Sequence, residues 1–151
     1  MKKSLFIEVI AALFMILFLY TGVSKLMDYS VFKEQIGESP ILEPIASVIA
    51  IVLPLAEFVV AAMLILPRWR LRGLWASTGL MILFTGYIVL MLQFSEHIPC
   101  SCGGVIALLS WKQHIVFNSL FILLGATAIL LERRSRSRGE LPANHNMEPG
   151  L

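Results

Sequence analysis

Charge is scarce in this sequence, and cysteine scarcer still. Only 15% of the 151 residues are charged, and the formal net charge is +2. A soluble domain of ordinary composition carries about a quarter of its residues as charges, so a separate soluble domain is excluded. There is no internal repeat, no glycine-rich loop to cradle phosphate, no catalytic triad and no basic patch of the kind that binds nucleic acid. The two cysteines, Cys100 and Cys102, cannot make a disulfide framework. Neither falls within an apolar run, so cysteines alone cannot relay electrons across a membrane. What the chain has in abundance is apolar surface: 58% of its residues are hydrophobic, and its mean hydropathy is +0.82. The class this defines is a small polytopic membrane protein built as one bundle.

The apolar runs divide the chain. Met1-Lys2-Lys3 and the run Leu5 to Val23 resemble a secretory signal. The run is longer than a signal core, however, and lacks a small-x-small cleavage site, so it reads as a retained first span. Residues 28–43 are too polar to span; a short interfacial helix over Val31 to Ile36 is expected there, with Tyr29 and Phe32 in the headgroup zone. Pro44 opens the second span, which ends near Leu66 and should bend at Pro54. A basic turn, Pro67 to Arg72, leads to the third span, Gly73 to Phe94, whose Ala76, Ser77, Gly79 and Gly86 suit close helix packing. Ser110-Trp111-Lys112-Gln113 has the form of a capping box for the fourth helix, which ends near Leu131. The expected fold is therefore all-α: a four-transmembrane-helix bundle over 1–132, with spans at about 5–23, 44–66, 73–94 and 111–131. A basic, disordered tail is expected over 133–151.

The basic residues orient this bundle. Lys2, Lys3, Arg68, Arg70, Arg72, Arg133, Arg134, Arg136 and Arg138 fall on one side, and Lys25, Lys33 and Lys112 on the other. By the positive-inside rule both termini are cytoplasmic and the two polar connections face outward. The expected location is the cytoplasmic (inner) membrane, with Cys100 and Cys102 on its oxidising side.

Few residues could carry chemistry. Pro99-Cys100-Ser101-Cys102-Gly103-Gly104 lies between two apolar segments, where proline and glycines favour a loop. Two cysteines one residue apart close a small, strained ring, which makes an exchangeable disulfide. A soft-metal thiolate site and a static staple are the other two readings. His97 and His114 bracket the pair, and His114 could favour a thiolate during exchange. With the cysteines, the two histidines make an alternative metal set: His97, Cys100, Cys102 and His114. Trp111, His114 and Asn118 share one face of the fourth helix. Glu57 lies about 12 residues, or roughly 18 Å, into the second span. A carboxylate at that depth should turn inward, as a proton relay or as one half of an interhelical bond. Glu8 reads as a structural or snorkelling residue, and Lys25 as an interfacial anchor.

These elements together resemble the MauE/DoxX family, and more closely its methylamine-utilisation MauE branch. The likeness rests on Thr21-Gly22-Val23-Ser24-Lys25-Leu26, a second span with Pro54 and Glu57, and the Cys-Ser-Cys-Gly-Gly segment followed by Trp111, His114 and Asn118; it covers about residues 4–132. The pair is Cys-x-Cys, unlike the Cys-x-x-Cys of well-known membrane thiol oxidases. The resemblance implies a DoxX-like four-helix membrane bundle. It also implies a role in methylamine metabolism, where the family is associated with maturation of a disulfide-rich periplasmic dehydrogenase subunit beside a thioredoxin-like partner. DoxX relatives are linked to quinone-dependent oxidoreductase complexes. The function expected is support of thiol–disulfide chemistry outside the membrane, with Cys100 and Cys102 as the redox pair. The rivals are a non-enzymatic membrane anchor and a soft-metal protein. Quinone is the candidate cofactor; a thioredoxin-like protein or an oxidoreductase subunit is the candidate partner, beside the lipid bilayer.

Overall fold

A computed structural model describes residues 2–39, 42–94 and 111–139. Its elements are α1 (Lys2–Met27), α2 (Tyr29–Gly37), a 3-10 turn (Glu43–Ile45), α3 (Ala46–Ile65), α4 (Arg70–Phe94) and α5 (Trp111–Gly139). Four stretches are long and apolar enough to cross a membrane: Ser4–Met27, Glu43–Ile65, Arg70–Leu90 and Lys112–Arg138. Lipid offers the backbone no hydrogen-bond partner, so each crossing segment satisfies its N–H and C=O groups within its own helix. The protein is a four-helix membrane bundle with one extra short helix.

Helix α1 packs along α3 and α5, and α4 along α5 and α3, so α1 and α4 stand nearly diagonal. The core between them contains Ile10, Phe14 and Phe18 of α1, Leu64 of α3, Leu74 of α4 and Ile129 of α5. Phe14 meets Phe121 edge-on, with ring centroids 5.2 Å apart. Large apolar side chains such as Ile16, Val48, Leu83 and Leu123 point outward. In a membrane these outward chains face lipid, and the helices are held by packing and polar contacts between them.

The helix junctions follow from local chemistry. Helix α3 stops because Leu66 turns extended (φ −83°, ψ 115°), the conformation favoured before a proline, here Pro67. The chain then reverses through a turn closed by the Trp69 N–H on the Leu66 carbonyl at 2.9 Å. Gly73 lets α4 start tight against α3: a Cβ there would lie 3.1 Å from the Leu64 backbone nitrogen. At the opposite end, α2 folds over the bundle and buries Phe32 and Ile36 against Ala46 and Ala50 of α3.

Several expectations need correction. Helix α1 continues past Val23 to Met27, and α4 begins at Arg70, three residues before the expected start. The short helix spans Tyr29–Gly37, longer than expected, and its Phe32 is buried against the bundle. Helix α5 runs on through the arginines to Gly139, where a disordered tail was expected from 133. A bonding network supports this extension: Arg136 donates from Nε to Glu132 at 3.2 Å and from Nη2 to the Pro67 carbonyl at 3.3 Å. Gly79 and Gly86 face open space; the close approaches are at Gly22, Gly73 and Gly125. Pro54 lies inside α3 and is buried. The capping box at Ser110 and the tail beyond Gly139 lie outside the described residues.

Candidate functional site

The bundle has two chemically different ends. One, the basic end, carries the start of α1, the α3–α4 turn and the arginines of α5. The other, the loop end, carries α2, the end of α4 and the start of α5. Near the loop end Lys25 and Glu57 form an ion pair, Nζ to Oε1 2.7 Å, with side chains 8% and 1% exposed. Helical side chains lean toward their own N-terminus. Helices α1 and α3 are antiparallel, so Lys25 leans down into the bundle and Glu57 leans up to meet it. The backward reach of the lysine also brings Nζ to 3.5 Å from the Thr21 carbonyl, one turn below.

This pair replaces the interfacial anchor expected of Lys25. An ammonium needs a counter-charge to be buried, and Glu57 of α3 provides one. Two aromatic rings complete its surroundings: Nζ lies 5.7 Å from the centroid of Phe32 on α2 and 5.6 Å from that of Phe84 on α4. Both distances are within cation–π range. The fifth helix contributes His114, which is buried on the first turns of α5. Asn118, one turn further along the same face, is buried too. Residues of α1, α2, α3 and α4 therefore converge on one lysine.

Glu57 has spare capacity. The Thr21 hydroxyl donates to the Phe18 carbonyl at 3.4 Å. Glu57 Oε2 is buried and has no hydrogen-bond partner among the described residues. Gly22 lets α1 and α3 approach closely beside it, for a Cβ at that position would lie 3.1 Å from the Phe58 ring and 3.4 Å from Oε2.

The residues expected to act together are brought together only in part. Glu57 and His114 share the loop end. Cys100, Cys102 and His97 lie outside the described residues, in the segment that joins the end of α4 to the start of α5. Glu8 is half-exposed and belongs to the basic end, where it accepts from Ser4 at 3.1 Å and lies 3.8 Å from Arg70. Among the described residues no three His, Cys, Asp or Glu side chains gather as metal ligands. Sequence reasoning missed the pairing of Lys25, and with it Thr21, Phe32 and Phe84. The available signal was charge balance: one cation at the end of one span and one carboxylate deep in the next.

A comparison with protein families matches the description "Methylamine utilisation protein MauE" over residues 3–131. The chain belongs to the MauE family. It is a multi-pass membrane protein associated with methylamine utilisation. No curated protein and no solved structure matches it. Within this MauE-family chain the match covers all four membrane-spanning helices and ends at Leu131, before the arginine-rich turns of α5.

Proposed function

We propose that this protein supports thiol–disulfide chemistry on the outer side of the cytoplasmic membrane, helping an extracytoplasmic partner to mature. In this reading both termini are cytoplasmic and Cys100 and Cys102 are the redox pair. The observation that carries it is the buried Lys25–Glu57 pair with His114, set at the end of the bundle where the cysteine segment joins α4 to α5. A cation and an imidazole near a thiol favour the reactive thiolate. A buried carboxylate with one oxygen unpartnered among the described residues can take up a proton.

The chemistry balances as an exchange. A partner dithiol attacks the Cys100–Cys102 disulfide, the partner gains the disulfide, and the pair becomes a dithiol. Regeneration removes two electrons and two protons to a thioredoxin-like disulfide or to a quinone. His114 favours the attacking thiolate, and Glu57 serves as proton relay. The test is to trap mixed disulfides on Cys100→Ser and Cys102→Ser chains in intact membranes and to identify what is attached. Thiol alkylation across a graded redox buffer, with and without chelator, accompanies it. A thioredoxin-like protein or a dehydrogenase subunit on either variant is expected. A pair that stays oxidised in strongly reducing buffer refutes cycling, and a pair protected until chelator is added favours a metal thiolate.

One observation favours a second reading, a non-enzymatic membrane subunit that anchors a partner complex, including a quinone-linked oxidoreductase. Phe32 and Phe84 close over Lys25, as a purely structural lock between helices requires. That reading predicts inert cysteines and a partner that co-purifies whether or not they are present.

A further inference from the structure

The basic end carries far more positive charge than the protein itself uses. Three arginines come from residues 68–72 and four from 133–138, seven together, against the carboxylates of Glu8 and Glu132. Arg70 is drawn inward between those two acids but touches neither at hydrogen-bond distance: its nitrogens lie 3.8 Å from Glu8 and 3.8 Å from Glu132. Its Nε is buried and has no acceptor among the described residues. A guanidinium carries five N–H donors in a rigid fork that matches a phosphate. Here the fork is held in place and left underused. Beside it Arg72 lies 5.7 Å over the ring of Trp69, which is 45% exposed. A half-exposed tryptophan at a helix end is characteristic of the headgroup layer.

Length places these groups in that layer. Helix α5 has 29 residues, about 43 Å at 1.5 Å per residue, against a hydrocarbon thickness of about 30 Å. It therefore outruns the apolar core by about two turns of helix, and those turns hold the arginines. Arg136 bonds the Pro67 carbonyl at 3.3 Å, which fixes the extension of α5 against the α3–α4 turn. Orientation in a membrane requires only that the charges stay on one side. It does not account for a fixed extension of α5 or for an idle donor on Arg70.

We propose that the wedge between the α3–α4 turn and the end of α5 binds the headgroup of an anionic phospholipid, with Arg68, Arg70, Arg72 and Arg136 facing its phosphate and Trp69 beside its glycerol. This site is independent of the redox reading, being at the opposite end of the bundle.

The test uses the full chain with Trp75→Phe and Trp111→Phe, so that Trp69 alone fluoresces. It is reconstituted in vesicles of equimolar phosphatidylglycerol and phosphatidylcholine, with one or the other lipid brominated as quencher. Each arginine near an anionic surface corresponds to about a fivefold preference, so brominated phosphatidylglycerol should quench Trp69 several-fold more strongly. Exposed Arg68→Gln with Arg72→Gln should bring the two lipids to near parity. Lys33→Gln with Lys112→Gln, at the loop end, should change nothing. Soluble glycerol phosphate should not relieve the quenching, since the occupant is a lipid. Equal quenching by both lipids in the parent chain overturns the proposal. So does an effect of the loop-end variant as large as that of the arginine variant, and so does relief by soluble glycerol phosphate. Native mass spectrometry of retained lipid on the wild-type chain gives an independent readout that needs no variant.

Discussion

Consider replacing Lys25 by Met, which keeps the length of the stem and removes the charge. Glu57 would then be a carboxylate 1% exposed, with Oε2 already without a partner among the described residues and Oε1 newly so. Removing one partner of a buried pair costs about 3–5 kcal/mol, because the other charge is left buried and uncompensated. Glu57→Leu should cost a similar amount by stranding the ammonium, and more than the 0.6–2 kcal/mol or so of a simple interhelical hydrogen bond. Glu57→Gln keeps an acceptor for Nζ at 2.7 Å, and the rings of Phe32 and Phe84 still face the ammonium, so its loss should be smaller. The decisive variant is Lys25→Met with Glu57→Leu. Replacing both members of a buried pair by apolar residues is often neutral or stabilising, so the double variant should be more stable than either single one. The assay is reversible unfolding by steric trapping in bicelles, read as a double-mutant cycle, with the redox state of Cys100 and Cys102 measured on the same samples. If the two single losses simply add, within about 0.5 kcal/mol, the pair is not energetically coupled and the reasoning fails. A stable double variant whose cysteine pair no longer cycles would locate the role of the pair in chemistry. A stable double variant that cycles normally would make it a structural lock.

Three further outcomes are expected. Gly125→Ala should destabilise the bundle by about 1–3 kcal/mol through overpacking, because the new Cβ meets the Thr78 hydroxyl and lies 3.2 Å from the Phe14 ring; adding Thr78→Ala should recover part of the loss in the same unfolding assay. Reporter fusions after Arg70 should read cytoplasmic and fusions after Gly104 external, and the reverse at either site would remove the oxidising-side argument. His114→Ala should slow reoxidation of the cysteine pair more than it shifts its redox equilibrium, measured by timed alkylation after a reductant pulse; an unchanged rate would take His114 out of the chemistry.

How much could be read from the sequence depended on which interaction decided each feature. The four spans were legible because length and hydropathy determine them, and lipid then leaves helix as the form they take. The inward position of Glu57 followed from the cost of a carboxylate in hydrocarbon. The burial of Lys25 did not, since a lysine at the end of a span can equally reach water; only the antiparallel lean of α1 and α3 decides between the two. The burial of Phe32 was hidden for the same reason: whether a short helix packs its apolar face onto the bundle is a tertiary matter, decided here by Ala46 and Ala50, which leave space for its ring. The glycines make the point most clearly. Composition made α4 the small-residue helix, yet Gly79 and Gly86 meet nothing within 4 Å, while Gly125 admits Thr78 and Phe14. A small residue marks a close contact only if it faces a neighbour, and facing is set by the rotation of the whole helix.

The two ends of the bundle treat charge in opposite ways. At the loop end one cation and one anion are matched inside the protein, and the surroundings of Lys25 are assembled from four helices. At the basic end arginines outnumber acids, and an anionic lipid headgroup is the proposed counter-charge. The loop-end pair contributes little to stability that an apolar pair could not, and Glu57 Oε2 has no hydrogen-bond partner among the described residues. A second donor to Oε2 would tighten a joint between α1 and α3, while a larger residue at 22 would crowd the Phe58 ring, 3.1 Å from a Cβ there. Glu57 is thus bonded to Lys25 through Oε1 alone, and the Lys25→Met, Glu57→Leu double variant decides whether the second oxygen serves the proposed proton transfer or the pair is only a joint.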